Sequence, residues 1–366
     1  MCVECLAAWQ GPALCAECHY PRCQEGRCRG EGRHAVECGT LARLAPRPSF
    51  LPGRPEPALS LVIIVRLLRL AALEPGLAAR VAGLMDHQEA LQGELGNMWR
   101  CTAVAALVDG IPSSPYTEQD VLHAIGVLQT NTVAVGVPGR SQGLGLFPTF
   151  SLLSHSCLAN CRYQVLADGA MVLRTQMPVA REEELTIHYM TPMLGTAARR
   201  NKIRKNWFFD CSCPRCADPT ELGTFLSALL CPTCREQGRE GLLLPHQPLD
   251  YTSTWTCSSS TCSTTKEAVE VEEMVAGMEE QLEELGEGPE PLQHLLLVWG
   301  ALLHPHHYLM LQAKRRLLAC LHLTSRGQPS RPLLQMQVHL ADESLEVFGV
   351  LDPGPTMLRG RMLQYR

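Results

Sequence analysis

Cysteine spacing constrains this chain more than any other feature of its sequence. Fifteen of the 18 cysteines lie in clusters with C-x-C or C-x2-C spacing or at positions that complete such clusters, whereas Cys101, Cys161 and Cys320 stand apart. Cysteines this close together cannot easily form disulfides with one another, but they suit tetrahedral thiolate coordination. We therefore predict several zinc sites and a reducing compartment inside the cell, the nucleus or the cytoplasm.

The densest cluster fills the first 38 residues, which offer seven cysteines and one histidine. Eight ligands fill two tetrahedral sites with none left over, and a segment with so few aliphatic residues cannot fold by burial alone. Scattered free cysteines are the disfavoured alternative. If alternating pairs cross-brace the segment, one zinc is held by Cys2, Cys5, Cys23 and Cys28, and the other by Cys15, Cys18, His34 and Cys38.

Composition and charge exclude several other classes of protein. Hydrophobic residues make up 46% of the 366 residues, which is too many for a disordered chain. The net charge of −5 gives no electrostatic argument for direct nucleic-acid binding. The most apolar stretch, 59–73, carries two arginines and is too short to span a bilayer, so we expect no membrane partner. We expect no secretory signal either, because residue 2 is already a cluster cysteine.

The remaining sequence alternates between helical and β-prone patterns. Apolar residues recur with the spacing of one helix face between Leu61 and Leu68, and short β-prone runs follow at 132–137 and 171–175. After Lys266 the helical period returns, and paired helices could stack there like a tetratricopeptide array. The predicted order is a zinc module at 1–38, a linker and helices at 39–130, a β core at 131–190, further zinc modules at 191–265 and a helical domain at 266–366.

Three segments and the N-terminal cluster resemble motifs of one protein family. S-H-S-C-L-A-N at 154–160 resembles the N-H-S-C-x-P-N segment of SET domains, and E-E-L-T-I-H-Y at 183–189 resembles their G-E-E-L-x-I-x-Y segment. C-S-C-P-R-C at 211–216 resembles the post-SET motif C-x-C-x2-C, and the N-terminal cluster resembles a MYND zinc finger. The chain is therefore similar to the SET and MYND domain-containing (SMYD) protein-lysine methyltransferases, with features of the arthropod-type branch.

The resemblance implies an α+β fold with a SET β core, an inserted MYND finger, post-SET zinc clusters and a C-terminal helical domain like a tetratricopeptide array. In the family, the cysteine of the first SET segment completes the post-SET site, which implies zinc ligation by Cys157, Cys211, Cys213 and Cys216. Four more cysteines form a further predicted zinc site of the kind that the arthropod-type branch often carries: Cys231, Cys234, Cys257 and Cys262.

The resemblance also implies a reaction, the transfer of a methyl group from S-adenosylmethionine (SAM) to a lysine amine. Tyr189 matches the tyrosine at the junction of the cofactor and lysine sites, and we predict that it is the catalytic residue. The implied protein partners are a lysine-bearing substrate such as a histone tail, with a role in chromatin regulation, and proline-containing peptides that bind the MYND finger. The positions that match the family's cofactor contacts are Asn131, Ser154, His155 and Phe209.

Two departures from the family pattern favour a second hypothesis. Ser154 replaces an asparagine whose amide contacts the cofactor, and the G-x-G strand pair that precedes the MYND finger in the family is missing from this sequence. The expectation is therefore a truncated chain, or a protein that has lost methyl transfer. In the second case the protein would be a weakly active or inactive zinc scaffold, such as a transcriptional corepressor, that holds partners through the MYND finger and the C-terminal helices.

Two charged segments were interpreted as solvent-exposed helix faces. Residues 267–290 contain ten glutamates and no basic residue. A basic run precedes the post-SET cysteines, and we expect it to form an exposed helix face rather than a site for phosphate or for a nuclear import receptor. Its members are Arg199, Arg200, Lys202, Arg204 and Lys205.

Overall fold

The computed structural model describes residues 2–4, 11, 13–23, 32, 34–44, 58–91, 97–135, 143–166, 169–286, 288–324 and 330–366. The chain divides into two compact units. The first unit comprises Met1–Leu153, Tyr163–Val172 and Asn206–Phe208, and the second comprises Ser154–Arg162, Leu173–Lys205 and Phe209–Arg366. No helix among the described residues is long and apolar enough to cross a membrane.

The first unit is mainly helical and contains one small antiparallel sheet. Its elements are α1 (Ala35–Leu41), α2 (Ala58–Leu68), α3 (Leu70–Leu73), α4 (Pro75–Ala82), α5 (Gln88–Leu91), α6 (Asn97–Val104), a π-helical turn (Ala105–Asp109), α7 (Glu118–Asn131), β1 (Thr132–Val135), β2 (Gly143–Leu146) and a 3-10 turn (Phe150–Leu152).

Helices α2 and α7 carry the core of the first unit. Ile64 and Val65 of α2 are fully buried with Ile125 of α7, so the predicted apolar face between Leu61 and Leu68 is confirmed. Helix α7 begins at a capping box, because the Thr117 side chain accepts a hydrogen bond from the Asp120 N–H and the Asp120 carboxylate accepts one from the Thr117 N–H.

Helix α7 also packs closely on the chain that precedes α5. A Cβ atom added at Gly126 would lie 2.2 Å from the carbonyl oxygen of Asp86, so backbone would have to move to admit it. We expect Gly126→Ala to lower the free energy of unfolding by about 1–3 kcal/mol, as overpacked cores do. The matched control is Gly277→Ala, since a Cβ there meets nothing within 4 Å. The control should raise stability by about 0.5–1 kcal/mol, measured by denaturant unfolding.

The second unit contains the two SET segments, the later cysteine clusters and the C-terminal helices. Its strands are short, and four of them form one sheet in the order β10-β9-β8-β7. The elements are β3 (Ser154–His155), β4 (Cys161–Val165) and β5 (Met171–Thr175), which pair with each other, β6 (Thr186–Ile187), α8 (Thr196–Trp207), α9 (Pro214–Ala217), β7 (Leu229–Leu230), α10 (Pro232–Glu236), β8 (Leu242–Pro245), β9 (Trp255–Cys257), β10 (Thr265–Lys266), α11 (Ala268–Glu284), α12 (Pro289–Trp299), α13 (Tyr308–Thr324), α14 (Arg331–Leu351) and α15 (Met357–Tyr365).

Helices α11 to α15 share one apolar core. Met278 and Leu282 of α11 are buried with Trp299 of α12, Leu318 of α13 and Phe348 of α14. A mixed α and β architecture with cysteine and histidine clusters and a C-terminal helical region is therefore confirmed. The glutamates of α11 lie mainly on the side of the helix away from this core, as predicted for a solvated face.

The core of the second unit is tied to strand β4 by one arginine. The guanidinium of Arg162 donates hydrogen bonds to the carbonyl oxygen of Pro353, at 2.6 Å, and to that of Pro355. It also donates to the Gln176 side chain. The loop between α14 and α15 is thereby held against the strand that follows the first SET segment.

The exposed-face interpretation of the basic run is wrong for two of its five members. Arg199 and Arg200 of α8 are buried, at 0% and 5% exposure. Arg199 is paired with the buried Glu221, and Arg200 donates to the Cys211 carbonyl oxygen and stacks 4.3 Å from the Tyr251 ring centroid. A buried cation is stable only with such partners. Lys202, Arg204 and Lys205 are exposed as expected.

Candidate active site and zinc centres

The N-terminal cluster brings four predicted ligands together. The Cys15 and Cys38 sulfurs are 3.6 Å apart, and the Cys18 sulfur is 3.3 Å from His34 Nε2. All four ligand atoms lie within 4.8 Å of one another. His34 Nδ1 lies 3.4 Å from the Glu37 carboxylate. A carboxylate behind a histidine fixes the ring for a metal on the other nitrogen, so this group suits zinc.

The second half of the N-terminal cluster is described only in part. The Cys2 sulfur accepts a hydrogen bond from the Cys23 N–H at 3.3 Å. Cys5 and Cys28, which we predict to share this zinc, lie outside the described residues. The Cys2, Cys5, Cys23 and Cys28 site therefore stays a prediction.

The post-SET cluster joins Cys157 to three cysteines more than 50 residues downstream. The Cys157 sulfur lies 3.9 Å from the Cys211 sulfur and 3.6 Å from the Cys216 sulfur, and Cys213 completes the group. Zn–S bonds of about 2.3 Å in a tetrahedron require sulfurs about 3.8 Å apart. These four sulfurs therefore have the spacing that a zinc ion needs.

The third group lies on the four-stranded sheet. Its sulfurs pair at 3.7 Å between Cys231 and Cys262 and at 3.6 Å between Cys234 and Cys257. Gly241 is needed here, because an added Cβ would lie 2.7 Å from the Cys234 sulfur. Among the residues that the structure describes, the three cysteines predicted to stand apart belong to none of these groups: Cys101, Cys161 and Cys320.

The two SET segments meet as neighbouring parallel strands. Ser154 pairs with Thr186, and His155 pairs with Ile187, so β3 and β6 lie side by side. The buried Asn160 joins the same segments, since its amide oxygen accepts the Thr186 N–H at 2.8 Å and its amide nitrogen donates to the Glu184 carbonyl oxygen at 2.8 Å. The motif contained Asn160, but sequence reasoning gave it no role.

Three aromatic rings converge where these strands end. The His155 ring centroid is 5.3 Å from that of Tyr189 and 6.2 Å from that of Phe209, and the Tyr189 and Phe209 centroids are 6.4 Å apart. Burial, together with the nearby charge of Glu184, raises the pKa of Tyr189. Its phenol is therefore protonated at neutral pH and can donate a hydrogen bond. Burial also lowers the pKa of His155 to about 4, which keeps the imidazole neutral.

The other predicted cofactor residues have different surroundings. Ser154 is exposed, and the Phe209 side chain is 37% exposed, so one side of its ring is open to a ligand. Asn131 belongs to the first unit and ends α7, whereas the sequence resemblance placed it on a strand. Its amide donates to the Val127 carbonyl oxygen at 2.8 Å and to the Met85 carbonyl oxygen at 2.7 Å, and the former bond continues the helix.

A buried ionic cluster surrounds the post-SET sulfurs, and sequence reasoning missed it. Arg199 donates from Nε to the Cys157 sulfur at 3.2 Å and from Nη2 to the Cys216 sulfur at 3.4 Å. Glu221 accepts from Arg199 at 2.6 Å and from Arg215 at 3.0 Å. Burial alone would raise the pKa of Glu221, but the two cations outweigh burial and lower it to about 2.

This cluster suits a zinc ion with four thiolates. Such a centre carries a net charge of −2, because the four thiolates outweigh the metal. The two guanidinium groups and Glu221 together add one positive charge, and the Arg199 donors point directly at two sulfurs. Donors to metal-bound ligands orient them and stabilise their charge.

Comparisons with known proteins agree with this architecture. The SET domain family model matches residues 83–190. SET domain-containing protein SmydA-8, isoform B, of Drosophila melanogaster is 32% identical over 254 residues, which are 67% of this chain and 52% of that protein.

Two mammalian relatives are more distant. Histone-lysine N-methyltransferase SMYD3 of Mus musculus is 24% identical over 229 residues, 59% of this chain and 51% of that protein. Histone-lysine N-methyltransferase SMYD1 of Homo sapiens is 24% identical over 245 residues, 62% of this chain and 49% of that protein. The chain spans about half the length of these relatives. The matching SET segments, the cysteine groups and these relatives identify the chain as a member of the SMYD family of SET-domain proteins.

Proposed function

We propose that this protein is a SAM-dependent protein-lysine N-methyltransferase in which Tyr189 is the catalytic residue. The observation that carries the proposal is the convergence of the Tyr189, His155 and Phe209 rings at the end of the paired strands β3 and β6. A half-buried aromatic surface beside a protonated phenol is suited to a lysine side chain that must lose both water and a proton before it reacts.

The chemistry requires a neutral amine, although free lysine has a pKa of about 10.4. SAM, when bound, supplies the methyl group and leaves as the neutral thioether. The aromatic side chains would desolvate the lysine and so favour its neutral form. The Tyr189 hydroxyl would orient the amine by hydrogen bonding, and the lysine proton would pass to water. Positioning and fixed dipoles provide most of the rate enhancement in such a site.

We propose four residues as cofactor contacts. Phe209 offers an open ring face for stacking, and the neutral His155 lies between it and Tyr189. Ser154 would contact the cofactor through its hydroxyl or backbone, since its side chain is too short to replace an asparagine amide. Asn131 is proposed from the family motif and belongs to the other unit.

The proposed partners follow from the family and from the names of the relatives. The two mammalian relatives are named histone-lysine methyltransferases, so we propose a histone tail as the first substrate to test. We further propose that the N-terminal zinc module binds proline-containing peptides and that the protein acts in the nucleus or the cytoplasm. The five domain boundaries given above also remain proposals.

The test is methyl transfer from radiolabelled SAM to mixed histones by the protein purified from the cells that make it. We expect Tyr189→Phe to lower the rate about 10²–10³-fold, because one catalytic hydrogen-bond donor is lost. The matched control is Tyr365→Phe, whose ring packs on His322 in the C-terminal helices. This control should leave the rate unchanged.

Two outcomes would contradict the proposal. If Tyr189→Phe retained the full rate, another residue would be catalytic. If the purified protein neither transferred methyl groups nor bound SAM in calorimetry, the scaffold hypothesis would replace the enzyme.

A further inference from the structure

We propose that His155 is a positioning residue that couples the zinc site at Cys157 to the backbone of Tyr189. Its importance for catalysis rests on the proposed function, but the coupling itself does not. His155 lies between the two groups, with one ring nitrogen facing each of them. The metal site would then set the position of the tyrosine through a single imidazole.

The hydrogen bonds fix the tautomer of His155. The Tyr189 N–H donates to His155 Nδ1 at 3.1 Å, and a backbone N–H can only donate. Nδ1 must therefore be unprotonated, so a neutral ring carries its proton on Nε2. Nε2 lies 3.4 Å from the Cys157 sulfur and donates to it. A metal-bound thiolate is a good acceptor for this bond.

The coupling reaches residues beyond the strand ladder. The Ser156 N–H donates to the Ile187 carbonyl oxygen at 3.2 Å, and strand β6 ends at Ile187. The bond from Tyr189 to His155 continues the connection two residues further along the chain. Tyr189 would therefore move with the His155 ring.

Two side chains donate to the Cys157 sulfur, and they lead in different directions. Arg199 approaches from α8 and is held by Glu221. His155 approaches from β3 and leads to Tyr189. A change in the metal–sulfur distance would therefore reach Tyr189 through His155, whereas Arg199 provides a matched donor on another path.

Two substitutions separate the two ends of the coupling. In His155→Asn the side-chain oxygen can replace Nδ1 as the acceptor for the Tyr189 N–H, but it cannot reach the Cys157 sulfur. In His155→Gln the longer side chain can place its amide N–H near the sulfur, where Nε2 lies, but the acceptor beside the Tyr189 N–H is lost. Each variant therefore keeps one half of the connection.

The measurement uses the backbone amide signals of the seven tyrosines after selective ¹⁵N labelling. The Tyr189 signal is assigned by its disappearance in Tyr189→Phe. Replacing zinc with cadmium lengthens the metal–sulfur bonds, and we expect the Tyr189 signal to shift in the native protein. In His155→Asn this shift should fall to less than half, whereas in Arg199→Lys it should persist. Loss of the His155 donor should also speed metal release to a chelator on the order of tenfold.

The results separate the coupling from the proposed function. A cadmium shift that depends on His155, in a protein without methyl transfer, would support the coupling and contradict the enzyme. Methyl transfer with a shift equal in the native protein and in His155→Asn would support the enzyme and overturn the coupling. If neither variant folds, the ring ¹⁵N shifts of native His155 decide the question, because a proton on Nδ1 would overturn the proposal.

Discussion

Cys157→Ala is expected to lose one zinc per chain and to destabilise the second unit by more than about 4 kcal/mol, the range typical of a lost structural metal. Structural zinc contributes directly to folding, because the unfolded chain holds no preformed site. Cys157 is also the only ligand of its group that lies on the first SET segment, so its loss separates that segment from the post-SET cysteines.

Elemental analysis and thermal unfolding measure both effects. The native protein should contain about four zinc ions per chain: three in the groups at Cys15, Cys157 and Cys231, and one in the predicted site at Cys2. The matched control is Cys161→Ala, since Cys161 is equally buried but joins no described group. The control should keep all of the zinc. An unchanged zinc content in Cys157→Ala would contradict the post-SET site.

Glu221→Gln is expected to lower stability by about 3–5 kcal/mol, as the loss of one partner from a buried ionic cluster does. The change removes the negative charge that Arg199 and Arg215 share, although all three side chains are at most 2% exposed. Two buried guanidinium groups would then lie side by side without a counter-ion. Arg199 would also be free to turn away from the Cys157 and Cys216 sulfurs.

Hydrogen exchange of the α8 amides measures this loss in the unit where it occurs. The control is Glu283→Gln on the exposed face of α11, which should change stability by less than about 0.5 kcal/mol. We also expect faster zinc release in Glu221→Gln, since the Arg199 donors lose their support. Equal stability of the two variants would mean that Glu221 does not balance the cations.

The features that could be predicted from sequence are those encoded locally. Pairs of cysteines two or three positions apart, such as Cys231 and Cys234, place sulfurs together because the turn between them is short. The apolar spacing within α2 likewise predicts which side chains are buried. Motif resemblance added the one distant pairing, Cys157 with the post-SET cysteines, which no local pattern indicates.

The buried charges could not be predicted, because their partners are distant in sequence. The basic run containing Arg199 and Arg200 has the composition of a surface helix, and Glu221 lies 22 residues beyond Arg199. Whether such an arginine is buried depends on whether the fold brings a carboxylate to it. The same reason explains Asn131, whose position in α7 depends on hydrogen bonds of its side chain rather than on the β-prone residues that follow.

The anchoring of strand β4 by Arg162 has a consequence for how the chain is made. The carbonyl groups that Arg162 binds belong to Pro353 and Pro355, which follow it by 191 and 193 residues. During synthesis these groups leave the ribosome long after the strand does, so Arg162 must wait without these acceptors while the later zinc groups and helices form. Contacts between such distant residues slow folding, because the entropy of closing the loop is lost before the contact is gained. The first SET segment is therefore among the early parts of this protein to be synthesised and among the last to complete its contacts.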